Sequence, residues 1–348
     1  MALGVPRTIE PMEARQVEAL PVGPEWQYEP KWDGFRCLVF RDGDVVDLRS
    51  KAGKPLGRYF PDIVAAALGL RAPRFVLDGE IVVPVDGTLS FDQLLQRIHP
   101  AASRVKMLAA TYPALLVVFD LLADAQSLVR RPLAERRRAL EAFPLSGAVR
   151  LSPATTDIAV ARRWLGRTRT GLDGVVAKRL DMPYAAGTRE GMEKVKRVRT
   201  ADCVVGGFRY ATRGRVIGSL LLGLYDGEGL LDHVGFTSSF TAAQKVEWTQ
   251  RVERLAGGAG FTGRAPGGPS RWSTERSAAW TPLAPKLVVE VRYDQFSEGR
   301  FRHGTALVRE RPDKAPRQCT FDQLEPAGRT ALKLLSGKVA ARRGVGRR

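Results

Sequence analysis

A lysine amine attacks an electrophile only after losing its proton, and its ordinary pKa is about 10.4. Lys31 heads the run Lys31-Trp32-Asp33-Gly34-Phe35-Arg36, whose Asp33-Gly34 turn pair would present the amine at the end of a strand. Nearby cations or loss of solvent lower a lysine's pKa and free its lone pair. Arg36, Lys194 and Lys196 are the cations available for this. Taken alone, the run fits a surface turn with an ordinary lysine equally well. Lys194 and Lys196 alternate along an expected strand, so both ammonium groups share a face. A solvated basic strand has the same pattern. The histidines, His99, His233 and His303, show no metal spacing, and three cysteines exclude a four-cysteine zinc site.

These side chains need a scaffold. Residues 27–36 read as a strand ending in a tight turn, and Asp42-Gly43 between two apolar runs is a hairpin signal. Residues 75–83 form an apolar strand interrupted by Asp78-Gly79-Glu80, and 115–120 a buried strand ending in Phe119-Asp120. Helical patterns mark 62–70, 91–98, 133–143 and 157–167, the last two with basic outer faces. Residues 174–178 and 193–198 read as further strands, which completes a mixed α+β body over 1–200. Short strands then take over at 204–210, 219–225, 233–236, 287–293 and 305–310, with one helix at 241–255 and a Gly- and Pro-rich loop at 256–285. Short strands around one helix suggest a small barrel such as an OB-fold over 201–330, followed by a basic tail, 331–348.

The 348 residues carry 55 Lys and Arg against 37 Asp and Glu, a formal net charge of +18. Such an excess attracts polyanions, of which nucleic acid is the commonest; a general Arg-rich composition is the plainer explanation. Phe208-Arg209-Tyr210 with Arg213 and Arg215 interleaves aromatics and cations, as a nucleic-acid face or an ordinary exposed hairpin would. No apolar stretch approaches the roughly 18–20 residues of a membrane span. The first thirteen residues lack a secretory pattern, and the cysteines are odd in number, so a reducing, cytoplasmic setting is expected.

The run from Lys31 to Arg36 resembles the lysine motif of the covalent nucleotidyltransferases: DNA ligases, RNA ligases and mRNA capping enzymes. Further motifs of that superfamily follow in its order. They are Ser50-Lys51-Ala52-Gly53, Asp78-Gly79-Glu80, Phe119-Asp120, Asp173-Gly174-Val175-Val176, Lys194-Val195-Lys196 and Arg311-Pro312-Asp313-Lys314. Lys51 stands where arginine is usual, and Asp173 where glutamate is usual. Each motif is weak singly, but the ordered series covers nearly the whole chain. The likeness is greatest to the short actinobacterial ATP-dependent ligases of C type and to the ligase domain of bacterial end-joining ligases.

That resemblance implies an adenylyltransferase domain with an ATP-grasp-like mixed sheet, then a C-terminal OB-fold β-barrel. It implies ATP and Mg²⁺ or Mn²⁺ as cofactors and nicked duplex DNA as substrate. Lys31 would attack the α-phosphate of ATP and hold AMP as a phosphoramidate, which then passes to the 5′-phosphate of the nick. Glu29 would read the adenine amino group, and Phe119 would stack on the base, though plain core packing also suits so apolar a run. Arg36 and Glu80 would bind the ribose with help from Lys51, while Lys194 and Lys196 face the phosphates. Asp173 and Glu80 would hold the metal, and Asp78 would fix a turn. Arg311, Asp313 and Lys314 would orient pyrophosphate on a domain swinging about Thr200-Ala201-Asp202. Arg209, Arg213, Arg215 and the basic tail would grip DNA. A nucleoid-associated monomer in DNA repair is expected, with a polymerase or end-binding protein as partner. Only thirty residues precede Lys31, which leaves no room for the nicotinamide-binding domain of NAD-dependent ligases. A GTP-using capping enzyme, an RNA ligase and a non-catalytic nucleic-acid-binding protein are the alternatives.

Overall fold

The stretch expected as one strand, 27–36, is two strands in two different sheets. In the computed structural model, which describes residues 3–166, 172–197, 199–267, 279–297, 299–302, 304–324 and 330–336, the chain divides into two units. One is Met1–Arg197 with Pro326–Arg348, the other Val198–Glu325. In the first unit Trp26–Lys31 pairs with Gly174–Arg179, in a four-stranded sheet completed by Met192–Lys196 and Arg15–Gln16. Phe35–Asp42 belongs to a six-stranded sheet, between Arg74–Val82 and Val45–Ser50. Trp32, Asp33 and Gly34 make the crossing. Gly34 runs so close to the second sheet that a Cβ there would lie 2.1 Å from the Ile81 carbonyl oxygen. Both sheets are mixed: Arg15–Gln16 and Val149–Leu151 pair parallel, the other ladders antiparallel.

Helices Pro61–Leu68 and Leu133–Ala142 pack on the six-stranded sheet and bury Phe60, Ile63, Phe75, Leu77 and Leu140. A helix at Ala102–Thr111 has no strong sequence signal, because only Val105 and Leu108 of its ten residues are buried. The basic outer face expected for 133–143 is in part an inner one. Arg136 is 2% exposed and grips both oxygens of buried Asp120 at 2.8 and 3.0 Å. A guanidinium enters a core when a carboxylate meets it in this forked geometry. Asp78 does not fix a turn; it lies wholly buried within Arg74–Val82.

In the second unit the strands run in the order Leu231–Thr237, Ile217–Tyr225, Arg199–Tyr210, Val288–Tyr293 and Ala306–Glu310. The helix Ala242–Glu253 starts with a Thr241/Gln244 capping box. These are the elements of an OB-fold, but the sheet does not close into the barrel expected. Its edge strands meet at a single bridge, Thr237 to Thr305, among the described residues. The segment before Ala306 has spent its backbone pairing on a separate hairpin, Phe296–Ser297 with Arg300–Phe301. The expected hinge, Thr200-Ala201-Asp202, is also corrected: all three residues sit in a ladder, opposite Arg292, Val291 and Glu290.

Residues 331–336 of the expected tail belong to a helix, Thr330–Ser336, and Ala331 is fully buried among Trp32, Val82, Val117 and Leu172 of the first unit. The rest of that tail, 337–348, and much of the 256–285 loop lie outside the described residues. No described helix is long and apolar enough to cross a membrane.

Removing one partner of a buried ion pair strands the other charge. Asp120→Ala is expected to destabilise the first unit by about 3–5 kcal/mol in chemical denaturation. The double change Asp120→Leu, Arg136→Leu is expected to recover most of that loss.

Candidate active site

Lys31 is the last residue of its strand, opposite Gly174. Gly174 has φ +149°, and a Cβ there would lie 2.1 Å from the Val195 carbonyl oxygen, so glycine lets the three strands close up beside the lysine. The Asp173 amide donates to the Lys31 carbonyl at 3.0 Å, which aligns the two side chains. Lys31 Nζ then donates to Asp173 Oδ2 at 2.5 Å. Burial pulls the pKa of Lys31 down, but Asp173, and after it Glu80 and Asp33, outweigh this and hold it above its ordinary value. The expectation that Arg36, Lys194 and Lys196 depress it is therefore overturned. Arg36 is spent on Asp78, gripping its oxygens at 2.5 and 2.6 Å. The cationic effect falls on Lys194 instead, whose pKa is lowered by burial and then by Lys31, Lys196, Lys51 and Arg189.

A cavity of about 210 Å³ opens beside Lys31. Glu29, Arg36, Lys51, Glu80, Phe119 and Lys194 line it, so the fold gathers six side chains scattered over 166 positions. Asp173 borders it through Lys31, and Lys196 lies two residues from Lys194 on the same strand. Glu29 is 2% exposed and points along the same strand as Lys31. It accepts from Gln27 Nε2 at 2.8 Å and from Lys178 Nζ at 2.9 Å. Phe119 carries two cations over its ring, Arg36 at 4.6 Å and Lys178 at 4.4 Å from the centroid.

Lys178 was not singled out by sequence reasoning. Its signal is a lone lysine four residues after Gly174 in a strand that otherwise reads apolar. Glu13 and Tyr184 were missed too. Glu13 pairs with Lys51 at 2.8 Å, and its pKa is lowered chiefly by that hydrogen bond. Tyr184 donates to Asp78 at 2.6 Å and accepts from the Met12 amide at 3.0 Å, which fastens Arg36 from behind. Burial raises the Glu80 carboxyl to about 7, against the pull of Arg36 and Lys31. The Gly34 amide donates to this carboxyl at 3.1 Å.

In the second unit, Asp202 gathers the late basic motif. Arg311 donates to it at 2.9 Å and Lys314 at 2.7 Å. Arg311 also hydrogen-bonds Asp313, which holds that carboxyl down to about 2. Of the candidate nucleic-acid face, Phe208 is a core residue with no exposure, so its ring is not available to a base. Tyr210 is partly exposed and bonds Glu253, and Arg215 is exposed near the same carboxylate. Arg213 is exposed, and Arg209 lines an open groove of about 580 Å³ with Tyr210 and Trp280. Among the described residues no group of three or more His, Cys, Asp or Glu has the arrangement of a metal site.

Two family models match the chain: "ATP dependent DNA ligase domain" over residues 11–196 and "ATP dependent DNA ligase C terminal region" over 213–314. DNA ligase C1 of Mycolicibacterium smegmatis is 48% identical over 338 residues, covering 93% of this chain and 96% of that protein. DNA ligase C of Mycobacterium tuberculosis is 44% identical, with the same coverage. The multifunctional non-homologous end joining DNA repair protein LigD of Mycobacterium tuberculosis is 33% identical, covering 84% of this chain and 37% of that longer protein. Among solved structures, the ligase domain of that LigD is 27% identical with a TM-score of 0.47, covering 90% of this chain and 98% of that one. A Lig E DNA ligase is 16% identical with a TM-score of 0.53, over 87% and 99%, and shares the fold.

If Asp173 holds the Lys31 proton in place, removing its charge must lower the Lys31 pKa. Competitive acetylation of Lys31 across pH is expected to titrate at lower pH in Asp173→Asn than in the parent. An unchanged or raised midpoint contradicts the ion-pair account.

Proposed function

The chain belongs to the ATP-dependent DNA ligases, and on that premise we propose which of its residues seal a nick and how. The enzyme uses ATP and acts on nicked DNA. The observation that carries the assignment of residues is Lys31 at the end of its strand, its ammonium on Asp173 and on the cavity that also holds Glu29, Phe119 and Lys194.

Lys31 Nζ attacks the α-phosphorus of ATP. A nitrogen–phosphorus bond forms, the bond to the bridging oxygen breaks, and pyrophosphate leaves with the electron pair. Asp173 Oδ2, 2.5 Å away, is placed to take the amine's proton. AMP then passes to the 5′-phosphate of the nick, and the 3′-hydroxyl displaces it. Phe119 offers its ring to adenine. Glu29 has used two of its roughly four lone-pair sites on Gln27 and Lys178, and the others remain for the adenine amino group. Glu80 and Arg36, neighbours across one rung, take the ribose with Lys51 near by. Lys194 and Lys196 meet the phosphates. Burial first, and then the cations around it, lower the pKa of Lys194, and an anion there would offset both.

Asp173 meets Lys31 Nζ at 2.5 Å and Glu80 lines the same cavity as Lys31, so two hard-oxygen donors lie near the amine where the triphosphate would sit. That donor set fits Mg²⁺ or Mn²⁺, which bind through one or two carboxylates plus substrate phosphates. A bound ion supplies positive charge to the phosphate oxygens. Arg311 and Lys314 exchange Asp202 for the leaving pyrophosphate, with Asp313 orienting Arg311. The excess positive charge, with Arg209, Arg213 and Arg215, grips the duplex. The enzyme works as a monomer at the nucleoid, beside end-binding or polymerase proteins; the name of its LigD relative supports the repair context alone.

The test is labelled ATP or GTP with a nicked duplex. The parent is expected to form a covalent AMP adduct and seal the nick. Lys31→Ala should form none and lose sealing by roughly 10³-fold or more. Equal sealing by Lys31→Ala, or a GMP adduct alone, overturns the assignment.

A further inference from the structure

Beyond the last rung of the nucleophile's ladder, the backbone has no sheet to align it. Lys31 pairs opposite Gly174, and the Asp173 amide reaches the Lys31 carbonyl. After that the chain at Trp32 turns away toward the six-stranded sheet, whose Phe35–Asp42 strand begins at Phe35. What holds the two segments together past this point is an apolar cluster. Trp32, the residue after Lys31, and Leu172, the residue before Asp173, are both buried in it, 4% and 1% exposed. At its centre is Ala331, fully buried, about 300 positions after Lys31 in sequence.

We propose that the helix Thr330–Ser336 is a positioning element for the first chemical step, joining the segment that carries Lys31 to the segment that carries Asp173. The proposal rests on the reading of Lys31 as nucleophile. Ala331 contributes only a methyl group, which leaves room for the Trp32 indole and Leu172 beside it. Val82 and Val117, from two strands of the six-stranded sheet, complete the cluster, so the helix ties the nucleophile's turn to that sheet. A second contact acts on the same turn. Trp32 Nε1 donates to Ser152 Oγ at 2.9 Å. Leu334 and Leu335 border Leu151 and Pro153, which flank Ser152, across a cavity of about 230 Å³. The helix thus packs on the indole and faces the segment whose Ser152 holds it.

A helix of seven residues has little stability of its own, so its order comes from this cluster. A displacement near 1 Å at a reacting group costs on the order of a hundredfold in rate. No residue of this helix lines the cavity beside Lys31, so its loss should act on the step that needs Lys31 aligned and spare the step that does not.

The experiment uses the full chain carrying Ala331→Asp, with Leu335→Ala as the milder change. Two rates are followed: single-turnover formation of the Lys31–AMP adduct, and sealing of a nick already carrying AMP on its 5′-phosphate. In Ala331→Asp the rate constant for adduct formation is expected to fall about tenfold or more. The KM for ATP should stay within about twofold and sealing of the pre-adenylated nick within about threefold. Leu335→Ala should show a smaller loss of the first rate alone. A buried carboxylate can unfold the unit, so if Ala331→Asp loses both activities, Leu335→Ala decides. Equal loss of both steps in Leu335→Ala, or no loss of adduct formation in either variant, overturns the proposal. Failure of the nucleophile assignment reads out separately, as an AMP adduct that survives Lys31→Ala.

Discussion

The contact between Lys31 and Asp173 depends on one rung of backbone pairing. The two residues stand 142 positions apart, and only the ladder of Gly174–Arg179 on Trp26–Lys31 brings their side chains to 2.5 Å. The rest of the first unit serves that rung. Gly174 lets three strands approach without a side chain in the way. Gly34 allows the chain to leave the lysine and enter the next sheet within three residues. The apolar cluster of Trp32, Leu172 and Ala331 holds what the ladder no longer reaches.

Three buried charges at and behind the cavity are each met by an opposite one. Arg36 is matched by Asp78, Glu29 by Lys178 and Arg136 by Asp120, each in a short contact. An unmatched buried charge costs several kcal/mol, so these pairs are conditions for having a polar cavity inside a folded unit. They also leave remainders. Glu80 faces Arg36 after that guanidinium has committed itself to Asp78, and burial carries its carboxyl up to about 7. Lys194 sits among other cations and is pushed the other way. A triphosphate with its counterion has the charges that both positions lack.

The second unit repeats this logic with a different centre. Asp202 was read in the sequence as part of a hinge, because it lies where the composition changes. It is instead the carboxylate on which Arg311 and Lys314 converge. A polar residue at the start of a strand looks the same in sequence whether it bends or binds. The register opposite Glu290, together with two basic partners more than 100 positions away, distinguishes the cases.

Much of this protein was legible in the residue order. Lys31, Glu80, Phe119 and the Lys194/Lys196 pair were recognisable because strand alternation and turn pairs are local properties, and because their series resembles one family's. Most strand and helix positions followed from apolar periodicity within a few residues, but the break between Lys31 and Phe35 and the helix Ala102–Thr111 did not. What the sequence alone left undetermined was every matter of partnership. The sign of the Lys31 pKa, the commitment of Arg36 to Asp78, the inward turn of Arg136, the missed role of Lys178 and the packing of residues 330–336 all arise between segments far apart in the chain. Such contacts leave no period to read. Local chemistry therefore identified the groups, and only the tertiary structure, by deciding which charge lies within a few ångströms of which, determined the state in which each is held.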